Sequence, residues 1–279
     1  MRLPFQAWLG IVLIVVLATV AAAAPWLAPE PPNEMDLLAI MLPPNWSGPA
    51  PHNWLGTDHL GRDVLSRLIW GARIAFAVAL FAAIGAAVTG TVVGLLAGTV
   101  GGWVDWVISR MVDLWMSFPP VVLSLLLLVG LGAGLRNVIL AIVLVDWTRF
   151  CRVLRSEVMV IERQNYIAAA RLMGFGRLRI IVREVLPGIL PTFITLLALE
   201  MGIAVRVEAV LSFVGMSVPA DVPAWGQMIA DARANMTQAA WTMLAPIGAI
   251  VLTVIAFNLI GDGLRRRLDP HLLQRGGLP

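Results

Sequence analysis

The 279-residue sequence contains no lysine; all 20 of its basic residues are arginine. A nucleotide-binding P-loop places a lysine on the nucleotide phosphates. This chain has none to place, so any ATP-driven activity must take its ATPase from another subunit. Cysteine is nearly absent: Cys151 stands alone, so no internal disulfide can form. Only three histidines, His52, His59 and His271, are scattered along the chain, which speaks against a structural zinc site. Charge is scarce as well, at 13% of residues, where a soluble domain carries roughly 25%. What fills the space is apolar: 59% of residues are hydrophobic, and mean hydropathy is +0.86.

The shortage of charge comes from long uncharged runs, the mark of membrane helices. Leu3 to Pro29 is the first, and predicts a helix over 7–28. A cleaved signal peptide would have a similar outline, with one Arg, a short apolar core and the Ala21–Ala24 run. Pro25 directly after that run hinders cleavage, which favours a retained helix. Residues 29–72 are rich in proline and form an extracytoplasmic loop with little regular structure before Gly61. Further helices are expected over 73–99, 104–132 (kinked or broken at Pro119-Pro120), 136–155, 188–214 and 236–262. The short polar stretch with Asp105, Arg110 and Asp113 suits either an interfacial helix or the start of the third span. The expected fold is an all-α integral membrane protein of about six transmembrane helices, with a five-helix core over 73–279.

Arginine placement orients the bundle. With the N-terminus inside, fourteen Arg lie on the cytoplasmic side and five outside, leaving Arg206 within the membrane. This satisfies the positive-inside rule with both termini cytoplasmic. The basic pI near 10.3 then reflects loop arginines at a lipid surface and implies no nucleic-acid partner.

Four charged residues fall inside expected spans: Asp146, Glu200, Arg206 and Glu208. Charge inside a membrane is expensive, so each is a candidate for lining a path; Arg206 and Glu208 could instead satisfy each other. Met201, Met216, Met228 and Met236 cluster near outer span ends, where packing is the commoner use of methionine than soft-metal ligation. Trp26, Trp54, Trp70, Trp225 and Trp241 fall near outer boundaries and suit interface anchors.

The most polar stretch runs from Arg149 to Glu184, and within it a cytoplasmic loop over 156–187 separates the fourth and fifth helices. Ala168, Ala169 and Ala170 favour helix and present a nearly bare face. Gly174 and Gly176 stop it. Arg177 leads into a second amphipathic piece, Leu178 to Leu186, which carries Arg179 and Arg183 and is ended by Pro187. A basic amphipathic helix lying on anionic lipid and a protein-docking loop explain this pattern equally well.

The run Ala168-Ala-Ala-x-x-x-Gly174, closed by Leu186-Pro187, resembles the coupling loop of ABC importer permeases. Ala168 stands where that family has Glu, and Glu184 where it has Ile. Four further stretches strengthen the likeness: Leu55-Gly-Thr-Asp58-His-Leu-Gly61-Arg62-Asp63-Val-Leu-Ser66-Arg67; Gly101-Gly102-Trp103-Val-Asp105 with Phe118-Pro119; Glu208-Ala-Val-Leu-Ser212-Phe213-Val-Gly215 with Pro223-Ala-Trp225-Gly226; and Ala256-Phe257-Asn258-Leu-Ile-Gly261-Asp262. Together they are similar to the second permease subunit of the dipeptide/oligopeptide/nickel ABC importers, over roughly residues 50–275.

The resemblance implies a type I importer permease fold in the bacterial inner membrane. The chain would be non-catalytic and bind no cofactor, with ATP and Mg held by two partner ATPase subunits. A homologous permease would complete a heterodimeric path, and a solute-binding protein would deliver di- or oligopeptides, glutathione-like peptides, nickel or metal chelates. Ala168, Ala169, Ala170, Arg171, Gly174, Phe175, Leu186 and Pro187 would couple to the ATPase. Asp58, Arg62, Asp63 and Trp225 are candidates for contact with the binding protein or partner permease, although Asp58 equally suits the N-cap of a helix. A stand-alone secondary transporter is the competing class, but it would need an internal repeat that the sequence does not display. A membrane enzyme would need His or Cys beside a carboxylate cluster.

Overall fold

A computed structural model describes residues 4–45 and 53–268, and the described residues form helices joined by turns, with a lone β-bridge between Thr57 and Asp63. The helices in chain order are α1 (Phe5–Ala22), α2 (Ala24–Leu27), α3 (Val64–Val100), α4 (Gly102–Met116), α5 (Pro120–Leu131), α6 (Leu135–Glu162), α7 (Asn165–Leu172), α8 (Arg177–Ile180), α9 (Leu186–Phe213), α10 (Trp225–Ala232) and α11 (Trp241–Leu268). Four stretches are long and apolar enough to cross a membrane: 5–22, 64–100, 177–213 and 241–267. The pair α4 and α5 is a fifth if taken as one broken span, bent by 90°. The break falls at Ser117-Phe118-Pro119, beside the expected proline pair, because Pro119 and Pro120 supply no N–H to continue the ladder. At 28 residues α6 is long enough to span, but its second half is charged from Arg149 onward.

Helix α3 is the central post, packed against α6, α9 and α1. It buries small side chains almost throughout: Ala75, Ala79, Ala82, Ala83, Ala86, Ala87, Gly90, Gly94 and Ala97. Lipid tails are as apolar as any side chain, so helices associate in membranes by close fit, which small residues allow. A Cβ on Gly90 would stand 2.3 Å from the Trp147 carbonyl oxygen of α6, and one on Gly94 2.9 Å from that of Cys151. Helix α1 seats the same way, with Gly10 against Ala256 and Ile260 of α11, and Ala7 against Gly263.

Several boundaries depart from the sequence expectation: α1 ends at Ala22, α6 runs on to Glu162, α11 spans Trp241–Leu268, and two further departures have a local cause. Helix α3 begins at Val64, within the stretch expected as loop up to residue 72. Its N-cap is Asp63, whose carboxylate accepts the Ser66 N–H at 2.7 Å. Asp58, proposed for that role, instead caps the preceding turn. Pro187 does not end a helix either. The chain runs helically from Arg177 to Phe213 through a π-helical turn at Ile181–Val185, and Pro187 enters the first turn of α9. Widening one turn breaks the regular ladder, so a residue lacking an N–H is accommodated there.

Candidate functional site

The polar residues gather at three levels of the bundle. The first is a cap formed by residues 53–67 and 217–242. Asp58 is its centre: its carboxylate accepts from the Leu60 and Arg62 backbone N–H groups at 2.8 and 3.0 Å, and from Arg62 Nε at 2.6 Å. Arg62 reaches on to Asp231 of α10 at 3.4 Å, and Arg67 Nε lies 3.9 Å from Asp58. Trp225 donates its indole N–H to the Leu68 carbonyl at 2.9 Å, and Trp241 donates to that of Thr57 at 3.3 Å. Gly226 lets α10 sit on α9, since a Cβ there would be 2.0 Å from the Ala209 carbonyl oxygen.

Asp58, Arg62, Asp63 and Trp225 are all buried, at 8% exposure or less. Expected as contacts for a binding protein or partner permease, they instead hold the cap together and do not form its outward surface. Trp225 and Trp241 likewise serve the cap, whereas Trp26 stands 83% exposed on α2. Burial raises the pKa of Asp63 above the usual carboxylate range, against the lowering effect of its hydrogen bonds from Ser66 and Leu65. Glu30 is raised too, by burial and then by the negative charges of Asp63, Glu34 and Asp36.

The second level lies within the spans. Asp146 of α6 and Glu200 of α9 are both buried and converge on Arg149, whose guanidinium is 2.9 Å from Glu200 and 4.0 Å from Asp146. Glu208 is buried elsewhere on α9 and accepts the Ser217 hydroxyl at 3.1 Å. The Ser217 carbonyl in turn accepts the Gly134 N–H at 2.6 Å, tying the end of α9 to the start of α6. Arg206 is exposed, and no acid of the described residues pairs with it. Arg206 and Glu208 do not satisfy each other, because two residues on a helix point about 200° apart. Arg149 was not singled out by sequence. Its signal was present in the i, i+3 spacing from Asp146.

The third level is the end of the bundle rich in arginine. Asp105 of α4 pairs with Arg155 of α6, and Asp113 with Arg110 and, at 2.5 Å, with Arg152. Arg110 and Asp113 are three residues apart on α4, but the two pairs to α6 join residues far apart in sequence, so spacing alone could not reveal them. Beside them runs 165–187. Helix α7 ends at Gly174, which has φ +82; its N–H bonds the Arg171 carbonyl, and the Phe175 N–H bonds that of Ala170. This is a Schellman stop, which needs the left-handed conformation that glycine adopts freely.

Ile167, Ala170, Ile180, Val185 and Ile189 anchor the segment inside, against Phe150, Leu154, Val158 and Ile161. Phe175 and Leu186 pack at the edge of this cluster, with Arg179 stacked over the Phe175 ring at 4.1 Å. Arg171 pairs with Glu162, and Arg177 donates to the Thr99 carbonyl. Outside, among the exposed arginines, stand apolar side chains: Leu172 is 90% exposed, Leu178 75% and Met173 66%. Ala168, Ala169 and Pro187 are exposed with them.

Comparison with known proteins fits this geometry. The family model described as "Binding-protein-dependent transport system inner membrane component" matches residues 90–274. The dipeptide transport system permease protein DppC of Alkalihalophilus pseudofirmus is 38% identical over 261 residues, covering 94% of this chain and 82% of that protein. The glutathione transport system permease protein GsiD of Shigella dysenteriae is 36% identical over 272 residues, covering 97% and 88%. An inward-facing structure of the MetNI methionine ABC transporter superposes with a TM-score of 0.62 at 20% identity, over 74% of this chain and 97% of that one, a likeness of fold. With an all-helical bundle of the type I importer permease fold and relatives matched along nearly their whole length, the chain belongs to the family of binding-protein-dependent transport system inner membrane components, the permease subunits of ABC transporters.

Proposed function

We propose that this chain is one permease half of an ATP-driven importer of dipeptides or glutathione-like peptides in the bacterial inner membrane. The observation that carries the reading is the segment 165–187: it is firmly anchored on its inner face, yet presents Leu172, Met173 and Leu178 to solvent. Exposed apolar groups on a well-held backbone mark a surface made for a partner. Ala168, Ala169, Arg171 and Gly174 would enter a cleft of a partner ATPase, held from behind by the buried Ala170 and by Phe175, with Leu186 and Pro187 passing its motion into α9. The π-helical turn and the unbroken helix from Arg177 to Phe213 give that motion a stiff lever reaching the other side of the bundle. Two ATPases bind ATP and Mg; a homologous permease forms the other wall of the path; a solute-binding protein delivers cargo. Alternating access then follows from rigid-body movement of the two halves. The peptide-transporting names of the relatives favour peptide over nickel as cargo.

Asp146, Glu200 and Glu208 act within the chain in this reading, fixing α6 and α9 to each other and to the cap; only Arg206 among the intramembrane charges faces outward. The test is reconstitution into proteoliposomes of this chain alone, and of this chain with its permease, ATPase and solute-binding partners. Peptide uptake that requires every subunit and ATP supports the reading. Uptake by this chain alone without ATP would show a secondary transporter.

A further inference from the structure

Arg206 is anomalous among the charges of this bundle. Asp146 and Glu200 share Arg149, and Glu208 takes the Ser217 hydroxyl. Arg206 is exposed on α9 and meets no acid among the described residues. Its helix neighbours on the same side are Leu199, Ile203 and Val210, the last 42% exposed. Deeper along this side Leu199 packs on Gly261 of α11 and Ile203 on the cluster between α3 and α6, so the stripe is open at Arg206 and Val210; the opposite side packs on α3 and α6 through Ala204, Val207 and Leu211. An arginine keeps its charge at any accessible pH, and a lone guanidinium facing hydrocarbon costs several kcal/mol, about 3 by the lowest scales. The stripe therefore faces water or protein rather than lipid.

Its depth adds to the argument. Arg206 lies seven residues before Phe213, where α9 ends, so it sits about 10 Å below that end. The end itself is pinned by the bonds from Glu208 through Ser217 to Gly134. A cation held at fixed depth on a rigid helix, ringed by apolar side chains, has the makings of an anion-recognition point, because low local polarity strengthens its attraction. Guanidinium geometry matches a carboxylate with two parallel hydrogen bonds. The relatives named for dipeptide and glutathione transport handle molecules that each carry a free carboxylate at neutral pH.

We propose that Arg206 is the group of the translocation path that receives the carboxylate of the passing peptide. The proposal rests on the peptide-importer reading above and adds the specificity-determining contact to it. Substrate would be held weakly and briefly, since a path must release what it binds.

The test uses the complete importer in proteoliposomes. Arg206→Met is expected to lower uptake of alanyl-alanine about tenfold, a change worth roughly 1.4 kcal/mol, while Arg206→Lys, which keeps the charge, retains most of it. A second readout separates contact from architecture. Val210→Cys, one turn from Arg206, should react with a water-soluble thiosulfonate reagent, scored on this subunit's gel band; Cys151 is buried and gives no background. Saturating alanyl-alanine should slow that reaction severalfold when Arg206 is present, and not when Val210→Cys is combined with Arg206→Met. Unchanged uptake in Arg206→Met overturns the proposal, as does failure of the Val210→Cys variant to react. Loss of co-purification with the partner permease in Arg206→Met also overturns it, assigning the guanidinium to an acid of that partner. If the unsubstituted importer takes up no peptide, the importer reading itself falls, and that failure is visible before any variant is made.

Discussion

The cap around Asp58 and the segment around Gly174 solve opposite problems with similar materials. Both are short, glycine-punctuated and arginine-bearing. In the cap, Arg62 and Arg67 are buried and turned inward onto Asp58 and Asp231, and Trp225 and Trp241 spend their N–H groups on backbone carbonyls. In 165–187 the arginines stand at the surface and leucine and methionine point out. The cap completes itself, while the other segment leaves Leu172, Met173 and Leu178 uncovered by the chain. A motif rich in conspicuous residues is thus no guide to contact: the sequence features at 55–67 look as functional as those at 166–187, and only burial separates them.

The largest effect expected from breaking this comparison lies in the cap. Asp58→Asn keeps the shape and some acceptor capacity but leaves two buried guanidinium groups without their carboxylate. Removing one partner of a buried ion pair costs about 3–5 kcal/mol. The purified chain should lose thermal stability in detergent and yield should fall. If instead stability holds and only binding-protein-stimulated ATPase activity drops, Asp58 is a contact after all.

Gly174→Val probes the other region and should behave differently. Nothing lies within 4 Å of a Cβ at Gly174, so the substitution meets no clash. Its effect comes from the backbone: a β-branched residue at φ +82 is strained by about 1–2 kcal/mol. That strain is local, so melting should shift little. The stop of α7 would be re-aimed, and uptake per ATP hydrolysed should fall roughly tenfold for about 1.4 kcal/mol of strain. Gly174→Asn, which tolerates this conformation, should retain coupling. Equal damage from both substitutions would point to a need for empty space in the partner's cleft.

Leu172→Ser with Leu178→Ser sharpens the contrast at smaller cost. Both side chains are exposed, so chain stability should stay within about 0.5 kcal/mol, while co-purification with the ATPase subunits weakens. Loss of lipid association with the ATPases still attached would favour a membrane-lying role for the segment.

Much of the fold was legible because membrane helices are written in long uncharged runs and the broken third span in its two prolines. Boundaries were less so. Helix α3 starts early because Asp63, and not Asp58, offers its carboxylate to a backbone N–H three residues on; both are Asp before an apolar run, and only the turn at Gly61 decides between them. Pro187 looked like a stop because a π-helical turn has no sequence signature. In the candidate site, the outward-facing elements at 168–174 could be located from composition. The ion pairs between α4 and α6 could not, since each joins residues brought together only by the bend at Pro119.

The smallest effect concerns pH, and it separates the two regions by which one titrates. Glu30 and Asp63 belong to the cap side, and both have raised pKa values, chiefly through burial. Asp63 holds Ser66 with one oxygen while the other is buried without a partner. A carboxyl whose folded pKa lies above its unfolded value binds its proton more tightly when folded. Its contribution to stability therefore grows as pH falls through the folded pKa and is lost as pH rises above it. Melting in detergent should rise slightly as pH is lowered toward the ordinary carboxylate range, and the rise should vanish in Glu30→Gln with Asp63→Asn, where asparagine still caps α3. A rise that survives both substitutions would place the titrating group elsewhere, and the outer cap would no longer be the pH-sensitive end of the molecule.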